Sequence, residues 1–581
     1  MSTASTTHEL NMKSGGRMVL EKDIDIPVRD GARLKANLFR PQGVGQYPVL
    51  LSLGPYGKDV HLSEFMPGAW LELQKRCPEI LDHSSCEHLV FETADPEVWV
   101  KDDYIVIKVD SRGSGKSSGF LDVNSPAEFK DMFDVIEWAG VQSWSNGHVG
   151  LLGISYYAAG QWMIASMKPP HLRAILPWQG GSDFYRDRSR QGGIFGSGFA
   201  VRWWNRSVLR NQFGNTECPF KDIVTKQRNT GPASLTPAQL IENRVDYIGN
   251  ILNHPLDGPF YRDRSPVFEN IDLPALVVAN YGGLGLHLRG TIEGFNQIAS
   301  KNKWLKVQSG SYFLTFLQPE NVALQKRFFD HYLKGVQNDW PSEPRVELAV
   351  RSIKDTVSRE IKGHSWPLES THWSKYYLNG TDLSLSKKPT IDSNFQEYDS
   401  MGEGIRFTLP TLEMGMEMAG PASAKLFVSS ETQDMDLFVT LRAFNQDQEE
   451  ITFFGATEPK SPVSMGWLRV SQRKIDPDKT LPHRPFHSHD ESQMLKPGKI
   501  YEVDVEIWPL SLHLPKGSTL VLQVQGRDFE RMDELGEQRG SGWFLHNHPS
   551  DRPTEVFASK CRLYMGKDWP SYLLLPITDA S

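Results

Sequence analysis

The stretch Gly150-Leu-Leu-Gly153-Ile-Ser155-Tyr156-Tyr157-Ala158-Ala159-Gly160-Gln161-Trp162 constrains the fold more than any other part of the chain. An apolar run ends at Gly153, a serine follows two residues later, and small residues with helical spacing come next. This is the layout of a nucleophile elbow, a sharp strand-to-helix turn that lifts a serine hydroxyl above a parallel sheet. Such a turn is strained and accepts only small neighbours, which accounts for Gly153 before the serine and for Ala158 and Ala159 behind it. The pattern G-x-S-x-G asks for a second glycine where this chain has Tyr157.

The surroundings of the turn alternate strand and helix. Lys22 to Gly31 reads as a strand entering an Asp30-Gly31 hairpin turn, with Leu34 to Arg40 returning. Tyr47 to Leu53 and Tyr104 to Asp110 are continuous apolar runs, as in strands buried on both faces. The second ends in a glycine-rich turn, Ser111 to Gly119, that lacks the spacing of a phosphate loop. Helical spacing runs from Glu128 to Gln142, then Val149 leads to the elbow and Gln161 to Met167 continues as helix. Strand, helix, strand, elbow and helix in that order predict a buried parallel sheet. From about Pro170 to Leu273 the periodicity is irregular, with a helix start at Thr236-Pro237. Alternation resumes with a strand from Leu273 to Asn280, a helix over about 290–300, a strand at Trp304 to Val307 and a helix from Val322 to Leu333. Beyond about residue 345 the strands carry no helical crossovers, which predicts an antiparallel sandwich.

A chain of 581 residues can bury several large cores. Its formal net charge of −8 offers no basic face for nucleic acid or an acidic membrane. No apolar run approaches the roughly 20 residues that span a bilayer. Met1 to Met18 is polar, without the apolar centre of a secretion signal. Cys77, Cys86, Cys218 and Cys561 have no C-x-x-C spacing and read as reduced thiols of a cytoplasmic protein.

Taken in order, Gly54-Pro55-Tyr56-Gly57-Lys58, Asp110-Ser111-Arg112-Gly113, Gly153-Ile154-Ser155-Tyr156 with Gln161-Trp162, and Phe328-Phe329-Asp330 before Leu333-Lys334-Gly335 resemble the cocaine-esterase and X-prolyl dipeptidyl-peptidase family of serine hydrolases. Gly420-Pro421, Asp434-x-Asp436, Lys496-Pro497-Gly498 and Trp569 to Pro576 extend the resemblance over nearly the whole chain. It implies an α/β-hydrolase domain over 20–169 and 270–344, an inserted helical cap over 170–269, and a C-terminal antiparallel jelly-roll β-sandwich over 345–581. It also implies Ser155 as nucleophile, with the Tyr56 hydroxyl and the Tyr156 backbone N–H as oxyanion hole. The substrate would be a small, largely apolar organic molecule, against the cap aromatics Trp178, Phe184, Phe195, Phe199, Trp203 and Trp204. A natural-product pathway is implied by the resemblance alone.

Two loops depart from the family pattern. The acid should follow the strand ending near Ala279, but Asn280-Tyr281-Gly282-Gly283-Leu284-Gly285-Leu286-His287 contains no carboxylate. The base should follow Trp304 to Val307, but Gln308-Ser309-Gly310-Ser311-Tyr312-Phe313 contains no histidine. A serine without a base is a poor nucleophile. His287 is the nearest replacement in sequence, although a turn contact is the commoner role for such a histidine. Asp330 reads as structural. His487-Ser488-His489-Asp490 and His546-Asn547-His548 lack a further ligand at tetrahedral spacing and read as loop contacts, so neither a metal nor a cofactor is expected. The sequence leaves room for a homo-oligomer. The expected activity is hydrolysis at an acyl carbonyl. The alternatives are a non-hydrolytic enzyme (cyclisation, elimination or isomerisation) using the oxyanion donors, or an inactive relic.

Overall fold

The computed structural model describes residues 5–578; residues 1–4 of the polar N-terminal stretch lie outside them. The central sheet is built on the apolar runs read from the sequence. Tyr47–Gly54 lies between Ile105–Asp110 and Ser145–Ile154, parallel to both. Leu172–Trp178, Ala275–Asn280, Lys303–Gln308 and Val346–Ser352 then add in parallel, one after another. On the other side Arg33–Pro41 pairs antiparallel with Ile105–Asp110, and Arg17–Pro27 pairs antiparallel with Arg33–Pro41 through the Asp30-Gly31 turn. Gly31 sits at φ 86°, the left-handed region that the turn requires.

Helices cover the sheet where their apolar stripes predict. Pro126–Gly140 starts at Ser125, whose hydroxyl accepts from the Glu128 N–H, with proline inside the first turn. It buries Phe129, Met132, Val135 and Ile136 against the sheet. Tyr156–Met167, Leu288–Gln297 and Pro319–Leu333 complete the α/β layers. Asp330 is structural in the manner expected: it accepts from the Tyr104 hydroxyl at 2.7 Å and pairs with Lys334 at 2.8 Å.

Two boundaries differ from the sequence reading. Leu172–Trp178, placed in the cap by a boundary at 170, is a buried strand of the parallel sheet. Arg173 and Pro177 break its apolar run and hide the strand signal. Val346–Ser352, placed in the sandwich, is shared: it pairs parallel with Lys303–Gln308 and antiparallel with Thr356–Gly363. Both of its edges are therefore occupied, and one sheet runs from the α/β half into the β half. Between 180 and 270 the chain forms short helical pieces, including Ser197–Trp203, Pro237–Glu242 with a capping box at Thr236, and Tyr247–Asn253.

The C-terminal half is mostly strand and mostly antiparallel. Met416–Ser430 pairs along its length with Tyr501–Leu514, and Asp436–Phe444 lies between Ser464–Arg469 and Thr519–Gln525. All four cysteines are free. Among the described residues no helix is long and apolar enough to cross a membrane.

Tyr157 replaces the second glycine of the elbow motif because space is made elsewhere. A Cβ on Gly153 would lie 2.5 Å from the Tyr157 Cβ, and one on Gly54 would lie 2.6 Å from its ring. Gly153→Ala is expected to overpack this contact and to destabilise the protein by about 1–3 kcal/mol, measured by urea unfolding. An unchanged midpoint would contradict the account.

Candidate active site

In parallel sheets, ligands gather beyond the carboxyl ends of the strands. Tyr56, Ser155, the Asn280 to His287 loop and Tyr312 all follow such ends. Ser155 has φ 56° and ψ −109°, between a strand and a helix. A left-handed backbone at a residue with a Cβ costs of order 1–3 kcal/mol and persists only where the surroundings impose it. Here the Ser155 N–H donates to the Trp178 carbonyl at 3.1 Å, and its own carbonyl accepts from Ala159 at 2.8 Å. The turn is fixed from both sides.

Tyr56 is 3% exposed, and its ring packs 5.7 Å from that of Tyr156. Its hydroxyl accepts from the Trp203 indole N–H at 2.8 Å, which leaves its own proton to donate elsewhere. The Tyr156 side chain points away from the turn and donates to Glu128 at 2.5 Å. The three residues expected on the nucleophile side are thus brought together.

The base side is arranged differently. Asn280 occupies the position of the missing acid, and its side-chain oxygen accepts from the Gly282 N–H at 2.7 Å, closing the turn. Among the described residues no hydrogen bond joins the His287 ring to Ser155. His287 starts the helix Leu288–Gln297, lines a cleft with Arg188 and lies 6.2 Å, ring to ring, from Tyr312. Burial and the charge of Arg188 lower its pKa to about 3, which makes it a feeble proton acceptor. No contact among the described residues supports the expectation of His287 as base.

Glu92 was not legible in the sequence as a site residue. It lies in the loop Phe91 to Asp95, and its backbone carbonyl accepts from the Ile154 N–H at 3.0 Å, one residue before the serine. Its side chain is buried, and the Ser155 and Tyr312 side chains with the Tyr156 backbone amide act on its carboxyl group. Burial pushes this carboxyl well above the usual range, against those groups and the charge of Arg188. Tyr312 stands in the loop where the base was sought. The acidic spacing Glu92-x-x-Asp95-Pro96 resembles a helix start, which conceals Glu92 from motif reading.

The expected pocket aromatics divide. Trp178 and Phe195 are wholly buried, Phe184 lines the cleft beside Arg188 and His287, and Trp203 stacks under the Arg188 guanidinium at 4.4 Å. A separate cavity of about 350 Å³ is lined by Met66, Phe91, Tyr312, Phe313 and Phe454. The glycine-rich turn wraps Asp110, which accepts from the Lys58 and Lys116 amides at 2.8 and 2.9 Å. The histidine clusters make local contacts: His546 with Asp528 at 2.8 Å and Gln191 at 3.0 Å, and His489 with Gln472 at 2.8 Å.

Known proteins match this arrangement along the chain. A model described as X-Pro dipeptidyl-peptidase (S15 family) matches residues 30–312. A model of the X-Pro dipeptidyl-peptidase C-terminal non-catalytic domain matches residues 338–573. Cocaine esterase from Rhodococcus sp. (strain MB1 Bresler) is 24% identical, over 97% of this chain and 99% of that protein. A crystal structure of a CocE/NonD family hydrolase from Staphylococcus aureus is 31% identical, with a TM-score of 0.84 over 99% of this chain and 97% of that one. An alpha-amino acid ester hydrolase, 16% identical with a TM-score of 0.65, shares the fold.

Burial raises the Glu128 carboxyl from an ordinary 4.5 to about 7, although Tyr156 and the Asn124 amide favour its charged form. The folded protein therefore keeps a proton that the unfolded chain has lost between those values. This contribution is complete below 4.5 and is lost as pH rises through 7. Glu128→Gln should accordingly gain stability on wild type between about pH 5 and about pH 8, read as urea midpoints. A gap between the two proteins that does not change with pH would contradict the sign.

Proposed function

The chain belongs to the X-Pro dipeptidyl-peptidase (S15) family of hydrolases, and from that premise we propose that it cleaves an ester or amide of a small, largely apolar molecule through Ser155. The observation that carries this reading is the Ser155 backbone at φ 56°, next to Tyr156, whose ring packs 5.7 Å from that of Tyr56. An alkoxide forming on Ser155 attacks the acyl carbon, and two donors facing the developing oxyanion lower the barrier. Trp203 supports the role of Tyr56 by occupying its acceptor lone pair and leaving its proton free. The apolar lining of the cavity next to Tyr312 supports an apolar substrate.

We read residues 20–169 and 270–344 as the hydrolase domain, with the strand Leu172–Trp178 added to it. Short helices and loops between 180 and 270 act as the cap, and the β half is read as a jelly roll. A second reading is non-hydrolytic chemistry, a cyclisation, elimination or isomerisation run from the same donors. One observation favours it: the loops 280–287 and 308–313 lack the acid and the base that acyl-enzyme chemistry uses.

A serine-directed fluorophosphonate separates the two readings. Wild type should be labelled and Ser155→Ala should not, by intact-protein mass spectrometry. Tyr56→Phe should lose about 10²–10³-fold in kcat/KM on a p-nitrophenyl ester. Turnover that survives Ser155→Ala but not Tyr56→Phe would favour the second reading.

A further inference from the structure

The two loops that should carry the acid and the base hold neither, yet a third loop delivers a carboxyl group to the serine. Glu92 has φ 61°, a strained backbone for a residue with a long side chain. Its place is secured by the Ile154 N–H on its carbonyl at 3.0 Å and by Thr93, whose hydroxyl donates to the Val90 carbonyl at 3.0 Å. The strained residue is therefore tied to the strand that ends in the elbow.

One oxygen of its carboxyl group is left without a partner. Glu92 is 2% exposed, and its Oε2 is buried without a hydrogen-bond partner. Among the described residues it forms no salt bridge. Some buried carboxylates of this protein meet a cation, as Asp59 meets Lys22 at 2.6 Å and Asp187 meets Arg289 at 3.0 Å, while Glu92 stands with those that do not. A buried carboxyl with unfilled capacity carries a desolvation cost and keeps an oxygen free to take a proton.

We propose that Glu92 is the residue that takes the Ser155 hydroxyl proton and returns it to the leaving group, with Tyr312 positioning its carboxyl. This rests on Ser155 being the nucleophile. As the bond from Ser155 Oγ to the acyl carbon forms, the hydroxyl proton passes to the Glu92 carboxylate. The carbonyl electron pair moves onto the oxygen, which then faces the Tyr56 hydroxyl. Collapse breaks the bond to the leaving group, and that group takes the proton from Glu92. Water repeats the sequence on the acyl-serine, releasing the acid and restoring the Ser155 hydroxyl. No metal, oxidant or further reactant enters the balance.

The titratable and charged groups facing Glu92 are Tyr56, Tyr157, Tyr312 and Arg188, from four separate segments. Burial holds the phenols above their ordinary value, so they stay neutral, and Arg188 supplies the nearby positive charge. The Glu92 carboxyl is itself pushed upward by burial, so the proton-accepting form grows as pH rises.

The test is the rate of fluorophosphonate labelling at Ser155 between about pH 5 and about pH 9. The wild-type rate should climb with pH. Glu92→Gln should label about 10²–10⁴-fold more slowly, with the climb gone. Tyr312→Phe removes a group that favours the charged carboxyl, so its climb should move to higher pH. If Glu92→Gln does not fold, the wild-type profile and Tyr312→Phe decide. A wild-type rate that does not vary with pH, or a Glu92→Gln protein labelled as fast as wild type, overturns the role of Glu92 and leaves the nucleophile reading intact. A wild type that is never labelled overturns both.

Discussion

The contact between Tyr157 and two glycines holds the rest of the site in place. The ring of Tyr157 lies where a side chain on Gly54 would be, and its Cβ crowds the position of one on Gly153. Those glycines end or nearly end two neighbouring strands, and Tyr56 and Ser155 each follow two residues later. One aromatic side chain thus sets the spacing between the hydroxyl of Tyr56 and the turn at Ser155. The strain of a left-handed serine persists because this packing and the Trp178 carbonyl leave the chain no relaxed alternative.

Burial then decides the chemistry available there. A buried imidazole beside an arginine loses its basicity, as at His287, and a buried carboxyl gains it, as at Glu92. The same dry surroundings favour neutral phenols, so Tyr56 and Tyr312 are donors rather than bases. Arg188 stacks on Trp203, and Trp203 in turn orients Tyr56. The electrostatics of the pocket therefore depend on a segment that is neither strand nor long helix.

That segment is held by the β half. The Gly198 amide donates to the Leu545 carbonyl at 2.8 Å, and the Phe195 amide donates to Asp551 at 3.1 Å. Arg190, fully buried, pairs with the same Asp551 at 2.6 Å. These ties fix the start of the helix Ser197–Trp203, and with it the indole that meets Tyr56. Sheet continuity through Val346–Ser352 adds a second link. A domain whose family model is described as non-catalytic here contributes to the position of Trp203, whose indole meets Tyr56.

Local patterns were enough for the parallel strands, the elbow, the helix at Ser125 and the β character beyond residue 345, because each depends on residues close in sequence. The strand Leu172–Trp178 was hidden, since burial rather than periodicity makes it a strand. The strained turn at Ser155 was legible because it demands small residues at short spacing, whereas Tyr56 and Tyr156 were singled out by the family resemblance alone. Glu92 and Tyr312 were not: they lie 63 and 157 positions from Ser155 along the chain. Only folding brings their side chains to the serine, and only burial gives an ordinary glutamate its altered proton affinity. The amino-acid order alone determined the frame and the strained turn that carries Ser155. The tertiary structure decided what stands beside it, because proximity and desolvation are properties of packed atoms rather than of neighbouring letters.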